Sequence, residues 1–166
     1  LDAAQGKAVL ALGPGLGQEP EAAAAIRRIV LEAPLPVVAD ADAVNAFAGR
    51  AADLKGRPDA TVLTPHPGEL GRLLGMKTSE IQEDRVAAAR RAAAETGAVV
   101  VLKGSLTLVS APGGNVWINP TGNPGMATGG SGDVLTGLIA GLLAQREAFA
   151  LEVLDAVRLA VYLHGL

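Results

Sequence analysis

The chain has 166 residues, with 14 basic and 17 acidic side chains and a formal net charge of −3. It contains no cysteine, which excludes disulfides and thiolate metal sites. Aromatic residues make up only 2%, and the basic residues form no long block, since the pair Arg90-Arg91 lies inside a helical pattern; we therefore expect no nucleic-acid partner. No apolar run is long enough to span a bilayer and the first residues lack a signal-peptide pattern, so we expect a cytoplasmic chain without a membrane partner.

The first half of the chain alternates short apolar runs with helical patterns. The apolar runs predict buried strands at 7–12, 37–39 and 61–63. Helical spacing and composition predict helices at 19–31, 42–47, 69–74 and 79–96. Asp42 is expected to cap the second of these helices, and Ser79 with Gln82 matches a capping box for the last one, which Gly97 would end.

The second half begins with strands and ends with helices. Apolar runs predict strands at 98–102, 106–110 and 116–118, the last two joined as an antiparallel hairpin. A Gly-rich loop covers 119–130, and helices follow, the first through Leu143 and the second over 151–163. Strands that alternate with helices predict an α/β fold, with a mostly parallel sheet and one antiparallel excursion near its edge. We expect a single domain over 1–166.

The Gly/Pro-rich loops follow the carboxyl ends of predicted strands. Ligands of open parallel sheets bind at that edge, so the sequence predicts one site assembled from several loops. Within it, Gly129 to Asp133 precede the apolar helix, where backbone amides and the helix dipole would bind an anion. A carboxylate at Asp133 suits a base that takes a proton from a hydroxyl attacking phosphorus. On its own, Asp133 is as well explained as a helix N-terminal residue favoured by the dipole.

Other polar residues in these loops have two interpretations each. Lys103 follows a buried strand and suits a nucleotide phosphate, or is a solvated lysine of a hairpin loop. His66 lies between two prolines, which would hold its ring toward a ligand, or is an idle surface residue. Asp40 and Asp42 are candidates for Mg²⁺ carried by a nucleotide, with helix capping the alternative for Asp42. Glu69 reads as a first-turn helix carboxylate, and His164 has no expected role.

Five motifs occur in a fixed order along nearly the whole chain. They are Gly13-Pro14-Gly15-Leu16-Gly17, Asp40-Ala41-Asp42-Ala43-Val44-Asn45, Leu63-Thr64-Pro65-His66-Pro67-Gly68-Glu69, Lys103-Gly104-Ser105, and Asn123-Pro124-Gly125-Met126-Ala127-Thr128-Gly129-Gly130-Ser131-Gly132-Asp133. Each is weak alone, and the first is too incomplete for a Rossmann fingerprint. The ordered set resembles the ADP-dependent NAD(P)H-hydrate dehydratases, which have a ribokinase-like three-layer α/β/α fold.

The resemblance implies a repair reaction in which ADP is used to remove water from the hydrated nicotinamide ring of NADHX or NADPHX. It implies NAD(P)H, AMP and phosphate as products, with Mg²⁺ accompanying the nucleotide and no metal site of the protein's own. Asp133 would be the catalytic base. By similarity, the hydrate would be contacted by Gly15, Gly17, His66 and Asp133. The adenine nucleotide would be bound by Lys103, Gly104, Ser105, Leu106, Thr107, Asn123, Gly130 and Gly132.

The same resemblance carries expectations about assembly and completeness. Members of the family form homo-oligomers, often tetramers, and some are fused to an epimerase for the hydrate. The family domain has a further α/β portion before the first strand and continues past Leu166, so we expect a partial domain, truncated at both ends. The resemblance therefore leaves open whether this stretch is active by itself.

Two alternatives remain at this point. A ribokinase-like small-molecule kinase, such as a hydroxyethylthiazole kinase, would use the same Gly-rich anion site and the same base. A non-catalytic adenine-nucleotide-binding fragment would bind ADP without turnover. The products of the reaction distinguish all three.

Overall fold

Six strands form one sheet in the computed structural model, which describes residues 4–166. In spatial and chain order they are β1 (Leu10–Leu12), β2 (Val37–Ala39), β3 (Thr61–Leu63), β4 (Val99–Leu102), β5 (Leu108–Ser110) and β6 (Val116–Ile118). The first four strands are parallel, and β5 and β6 add to β4 as an antiparallel hairpin. This confirms the predicted parallel sheet with an antiparallel excursion at its edge.

Seven α-helices connect and follow these strands within residues 4–166. They are α1 (Pro20–Glu32), α2 (Asp42–Asn45), α3 (Pro67–Leu74), α4 (Thr78–Glu83), α5 (Arg85–Thr96), α6 (Ser131–Gln145) and α7 (Val153–His164). Short 3₁₀ helices occur at Ala51–Leu54 and Pro124–Met126. No helix in this part of the chain is both long and apolar enough to cross a membrane.

Both faces of the sheet are covered, because successive strand residues point to opposite sides. On one face, residues such as Val37 and Leu63 pack with α1, α2, α3 and α5. On the other face, Val38, Val62 and Val101 pack with α6 and α7. Strands β2, β3, β4 and β5 are buried on both sides, and β2 and β4 are continuous apolar runs for that reason. The result is the three-layer α/β/α arrangement that the sequence predicted.

Several local predictions were wrong. The expected helix 79–96 is two helices, since Asp84 interrupts it and its carboxylate accepts from the amide of Ala87 to start α5. The capping box of Ser79 and Gln82 does not form; Glu80 instead accepts from the backbone N–H of Lys77. Asp42 is the first residue of α2 rather than its cap. Among the boundaries, α3 begins at Pro67 rather than at residue 69.

Candidate functional site

The loops after β1, β2, β3 and β4 meet at one edge of the sheet, held by backbone hydrogen bonds beyond the strands. The amide of Asp40 donates to the carbonyl of Leu12 at 3.1 Å, and that of Thr64 donates to Ala39 at 3.1 Å. The amide of Lys103 donates to the carbonyl of Pro65 at 2.9 Å. The side chains that follow these strands are therefore brought together, as the sequence predicted.

A buried ion pair lies at the centre of this edge. Lys103 Nζ donates to Asp40 Oδ1 at 2.6 Å and lies 3.7 Å from Glu69 Oε2. The Asp40 carboxylate is only 2% exposed and also accepts from Thr64 Oγ1 at 2.8 Å. The Lys103 ammonium is therefore not simply a solvated group: it neutralises a buried carboxylate, while its own side chain stays 21% exposed at the site. Its predicted contact with a nucleotide phosphate stays a prediction.

The acidic loop residues offer little to a metal ion. Asp40 Oδ1 accepts from Lys103 and Thr64, and the two carboxylate oxygens of Asp42 accept from Gly17 N and Gln18 Nε2, each at 2.9 Å. Among residues 4–166, no three His, Asp or Glu side chains are grouped as metal ligands. In this part of the chain, Asp40 and Asp42 therefore do not belong to a protein-built set of magnesium ligands.

The Gly13–Gly17 loop packs against the start of α2. Gly13 has φ +139°, and a Cβ atom added to it would lie 1.8 Å from the Asp40 carbonyl oxygen, so only glycine fits. Gly15 and Gly17 also have positive φ angles, +72° and +88°. The two predicted hydrate ligands, Gly15 and Gly17, therefore lie on this loop. The loop is joined to the segment after β2 by the hydrogen bond from the Gly17 amide to the Asp42 carboxylate.

His66 caps α3 and its ring is half exposed at the site. Its Nδ1 accepts from the amides of Gly68 at 3.0 Å and Glu69 at 3.3 Å, and the Glu69 carboxylate accepts from the His66 amide at 2.7 Å. Since Nδ1 is an acceptor, the neutral ring carries its proton on Nε2, which lies 3.3 Å from Glu69 Oε1. The expectation that Glu69 is a first-turn helix carboxylate is confirmed.

A cavity of about 590 Å³ opens beside this edge, between the Lys103–Thr107 loop, the Gly-rich loop and the start of α6. Of the predicted site residues, its walls include His66, Lys103, Gly104, Ser105, Leu106, Thr107, Asn123 and Gly132. Within residues 4–166 they do not include Gly15, Gly17, Gly130 or Asp133. Asp133 is exposed in the first turn of α6, directly after Gly132.

The start of α6 lies directly over the buried ion pair. A Cβ atom added to Gly132 would lie 3.4 Å from Lys103 Nζ and 3.5 Å from Asp40 Oδ2. Gly130, at φ +88°, is the residue before the helix. The amide of Ser131 donates to the carbonyl of Thr128 at 3.3 Å, while the next amides, those of Gly132 and Asp133, have no preceding helical turn to donate to. The positive end of the helix dipole therefore meets the cavity at the level of Lys103, a surrounding that favours a bound anion.

Two residues of the site escaped the sequence analysis. His164, at the end of α7, donates from Nε2 to the carbonyl of Ser131 at 2.9 Å and lines the cavity, so it fixes the start of α6. Arg85, at the start of α5, donates to the carbonyls of Leu102, Lys103 and Ser105. Partial burial lowers the pKa of the Arg85 guanidinium below its usual value. Nothing in the local sequence distinguishes Arg85 from the other arginines of that helix.

Comparison with known proteins identifies the family. A family model described as NAD(P)H-hydrate dehydratase matches residues 1–166. The chain belongs to the NAD(P)H-hydrate dehydratase family. It is 50% identical over 157 residues to the bifunctional NAD(P)H-hydrate repair enzyme Nnr of Moorella thermoacetica, a match that covers 95% of this chain and 29% of that protein. It is 43% identical over 156 residues to the ADP-dependent (S)-NAD(P)H-hydrate dehydratase of Bacillus subtilis, with 94% and 53% covered.

Solved structures of the family share the fold. The crystal structure of the ADP/ATP-dependent NAD(P)H-hydrate dehydratase from B. subtilis, co-crystallized with ATP/Mg²⁺, superposes with a TM-score of 0.83 at 40% identity, covering 99% of this chain and 57% of that one. A ribokinase-like superfamily protein from Enterococcus faecalis has a TM-score of 0.76 at 32% identity, with 95% and 53% covered. This family member thus has the predicted ribokinase-like fold. The chain spans little more than half the length of the B. subtilis and E. faecalis proteins, and 29% of the Moorella protein.

Proposed function

We propose that this chain carries the nucleotide site and the catalytic base of an ADP-dependent NAD(P)H-hydrate dehydratase. One structural observation supports the proposal most. The predicted nucleotide loop Lys103–Thr107 and the start of α6 line the same cavity, and the proposed base, Asp133, directly follows one of its wall residues. Family membership over 1–166 supplies the reaction.

The nucleotide would occupy the 590 Å³ cavity, with its phosphates at the start of α6. Gly132 lies close to Lys103 Nζ, so a phosphate there would meet the amides of the helix start and an ammonium in one place. Lys103, Gly104, Ser105, Leu106 and Thr107 would line one side of the nucleotide. Asn123 would shape the opposite loop, since its side-chain oxygen accepts from the amide of Gly125 at 2.9 Å. The positive φ of Gly130 would let the chain turn into α6 at the phosphates.

Asp133 would take the proton from the ring hydroxyl of the hydrate. That oxygen forms a bond to the terminal phosphorus of ADP while the bond to the bridging oxygen breaks, and AMP leaves. The hydroxyl has then become a phosphate ester, which is a better leaving group than hydroxide. The ring nitrogen expels phosphate, and loss of a proton from the neighbouring carbon restores the dihydropyridine ring. His66 would position the ring, with Gly15 and Gly17 on the adjoining loop.

The remaining features of the proposal concern ions and partners. The B. subtilis relative was crystallized with ATP/Mg²⁺, which supports Mg²⁺ bound to the nucleotide. The Moorella relative is bifunctional, which supports a second activity, the predicted epimerase, as a fusion or a partner. A homo-oligomer, tetrameric by family resemblance, stays a prediction.

The test follows phosphate release from ADP, with and without NADPH hydrate, together with the return of NADPH absorbance. The proposal expects both signals to rise in step and to need the hydrate, and Asp133→Asn to abolish both while ADP still binds. A phosphorylated product that persists without NADPH would instead indicate a kinase. ADP binding without either signal would indicate a nucleotide-binding module.

A further inference from the structure

We propose that Arg85 is a positioning residue for the nucleotide: it draws the carbonyl groups of the Lys103–Thr107 loop to one side, so that the loop turns its amide groups toward the cavity. This inference rests on the proposed function, because it assigns the cavity to a nucleotide. Arg85 itself is not among the residues that line the cavity within residues 4–166. It would act on the ligand through the loop alone.

Arg85 holds several carbonyl groups at the start of the loop. Its guanidinium donates from Nη2 to the carbonyls of Leu102 and Lys103, each at 3.3 Å, and from Nη1 to that of Ser105. Between these, the carbonyl of Gly104 accepts from Thr107 Oγ1 at 3.0 Å. One planar guanidinium presents several donors in a fixed fork, which suits it to hold several carbonyls at once.

Peptide geometry fixes the direction of the N–H groups that belong to the same peptide bonds. In a planar trans peptide, the C=O of one residue and the N–H of the next point in opposite directions. The N–H groups of Gly104 and Leu106 therefore point away from Arg85. Neither amide donates to an acceptor in residues 4–166, and both residues line the cavity. Unpaired amides in a turn form an anion-binding concavity, which is what a diphosphate requires.

The backbone angles agree with a loop held in this orientation. Gly104 has φ +136° and Leu106 has φ +53°, and a positive φ is costly for leucine unless the surroundings enforce it. A Cβ atom added to Gly104 would lie 3.1 Å from Arg85 Nη2, so the glycine also admits the guanidinium. Arg85 is therefore the contact that holds the loop in its strained form.

The Lys103 ammonium does not replace this function. It is 2.6 Å from the buried Asp40 carboxylate, and the two opposite charges largely neutralise each other. Recognition of the phosphates then depends on correctly directed amides of this loop as well as on the start of α6 and the Lys103 ammonium. That dependence makes Arg85, outside the cavity, a determinant of affinity for the charged part of the ligand but not for the nucleoside.

The experiment compares the affinities of ADP and adenosine for the wild-type chain, Arg85→Ala, Arg85→Lys and Arg90→Ala, by calorimetry. Arg90 is the matched control, since it lies on the same helix and also donates to a loop carbonyl, that of Gly114 at 2.8 Å. We expect Arg85→Ala to weaken ADP binding about tenfold or more, the factor for one lost hydrogen bond to a charged group. Adenosine affinity should change less than about twofold, and Arg90→Ala should leave both affinities within about twofold.

Arg85→Lys keeps the positive charge, so it still tests the proposal if the Arg85→Ala variant does not fold. Its ammonium lacks the planar fork, so we expect an intermediate loss of ADP affinity with adenosine binding intact. Equal ADP affinity in the wild type and both Arg85 variants would overturn the proposal, as would a parallel loss of ADP and adenosine binding, which would mean a purely structural role. Failure of the wild-type chain to bind ADP would instead refute the proposed function and this inference together.

Discussion

Replacement of Lys103 by methionine tests whether the buried pair with Asp40 organises the site. Methionine keeps most of the volume of the side chain, but among residues 4–166 it leaves the Asp40 carboxylate, 2% exposed, with the Thr64 hydroxyl as its one donor. Removal of one partner from a buried ion pair costs about 3–5 kcal/mol of folding free energy. We therefore expect Lys103→Met to lower the free energy of unfolding by that amount, measured by urea denaturation.

The opposite deletion should cost less. Asp40→Asn keeps an oxygen for Thr64, and the stranded Lys103, 21% exposed, can recruit water and remains 3.7 Å from Glu69. We expect a loss of about 1–3 kcal/mol for Asp40→Asn, and the double variant should be more stable than Lys103→Met alone.

A surface pair provides the control for this comparison. Arg50 and Asp53 are 2.7 Å apart, but their side chains are 54% and 37% exposed, so Asp53→Asn should cost less than about 1 kcal/mol. If Lys103→Met costs no more than Asp53→Asn, or if the double variant is no more stable than Lys103→Met, the Asp40–Lys103 pair does not organise the edge of the sheet.

Two further changes probe the loops of the site. Gly13→Ala should prevent folding or cost at least about 3 kcal/mol of folding free energy, because the new Cβ would lie 1.8 Å from the Asp40 carbonyl oxygen. Gly15→Ala meets open space and should cost only about 1 kcal/mol. Thermal denaturation measures both losses, and equal losses would contradict the close packing at Gly13. His66→Ala should lower the stability by about 1 kcal/mol through loss of the α3 cap, while His66→Asn should retain the cap. If both His66 variants bind the hydrate as the wild type does, His66 does not contact the substrate.

Much of the architecture was readable from the sequence. The apolar runs at 37–39, 61–63 and 99–102 are continuous because those strands are buried on both faces, and the hairpin was marked by its Pro112–Asn115 turn. The convergence of the loops followed from the rule that parallel strands end at one edge. These features depend on local pattern and on topology, which a sequence contains.

Other features depended on long-range contacts and were missed or misjudged. Asp42 looks like a helix cap, but its carboxylate accepts from Gly17, 25 residues earlier. The pairing of Lys103 with Asp40 was missed, because the two residues lie 63 positions apart in the chain. Arg85 and His164 carry no local signal at all, since their functions depend on which backbone carbonyls the fold brings beside them.

The most direct test of the central claim locates the nucleotide on the chain. Hydrogen–deuterium exchange with and without ADP should show protection at 103–107 and at 130–133, and none at the hairpin turn 112–115. The first segment lines the cavity, and the second contains the wall residues Ser131 and Gly132. That pattern would place ADP between the loop that Arg85 holds and the start of α6. Protection confined to the groove between β6 and α7, or absent from both segments while ADP binds, would contradict the assignment of this cavity.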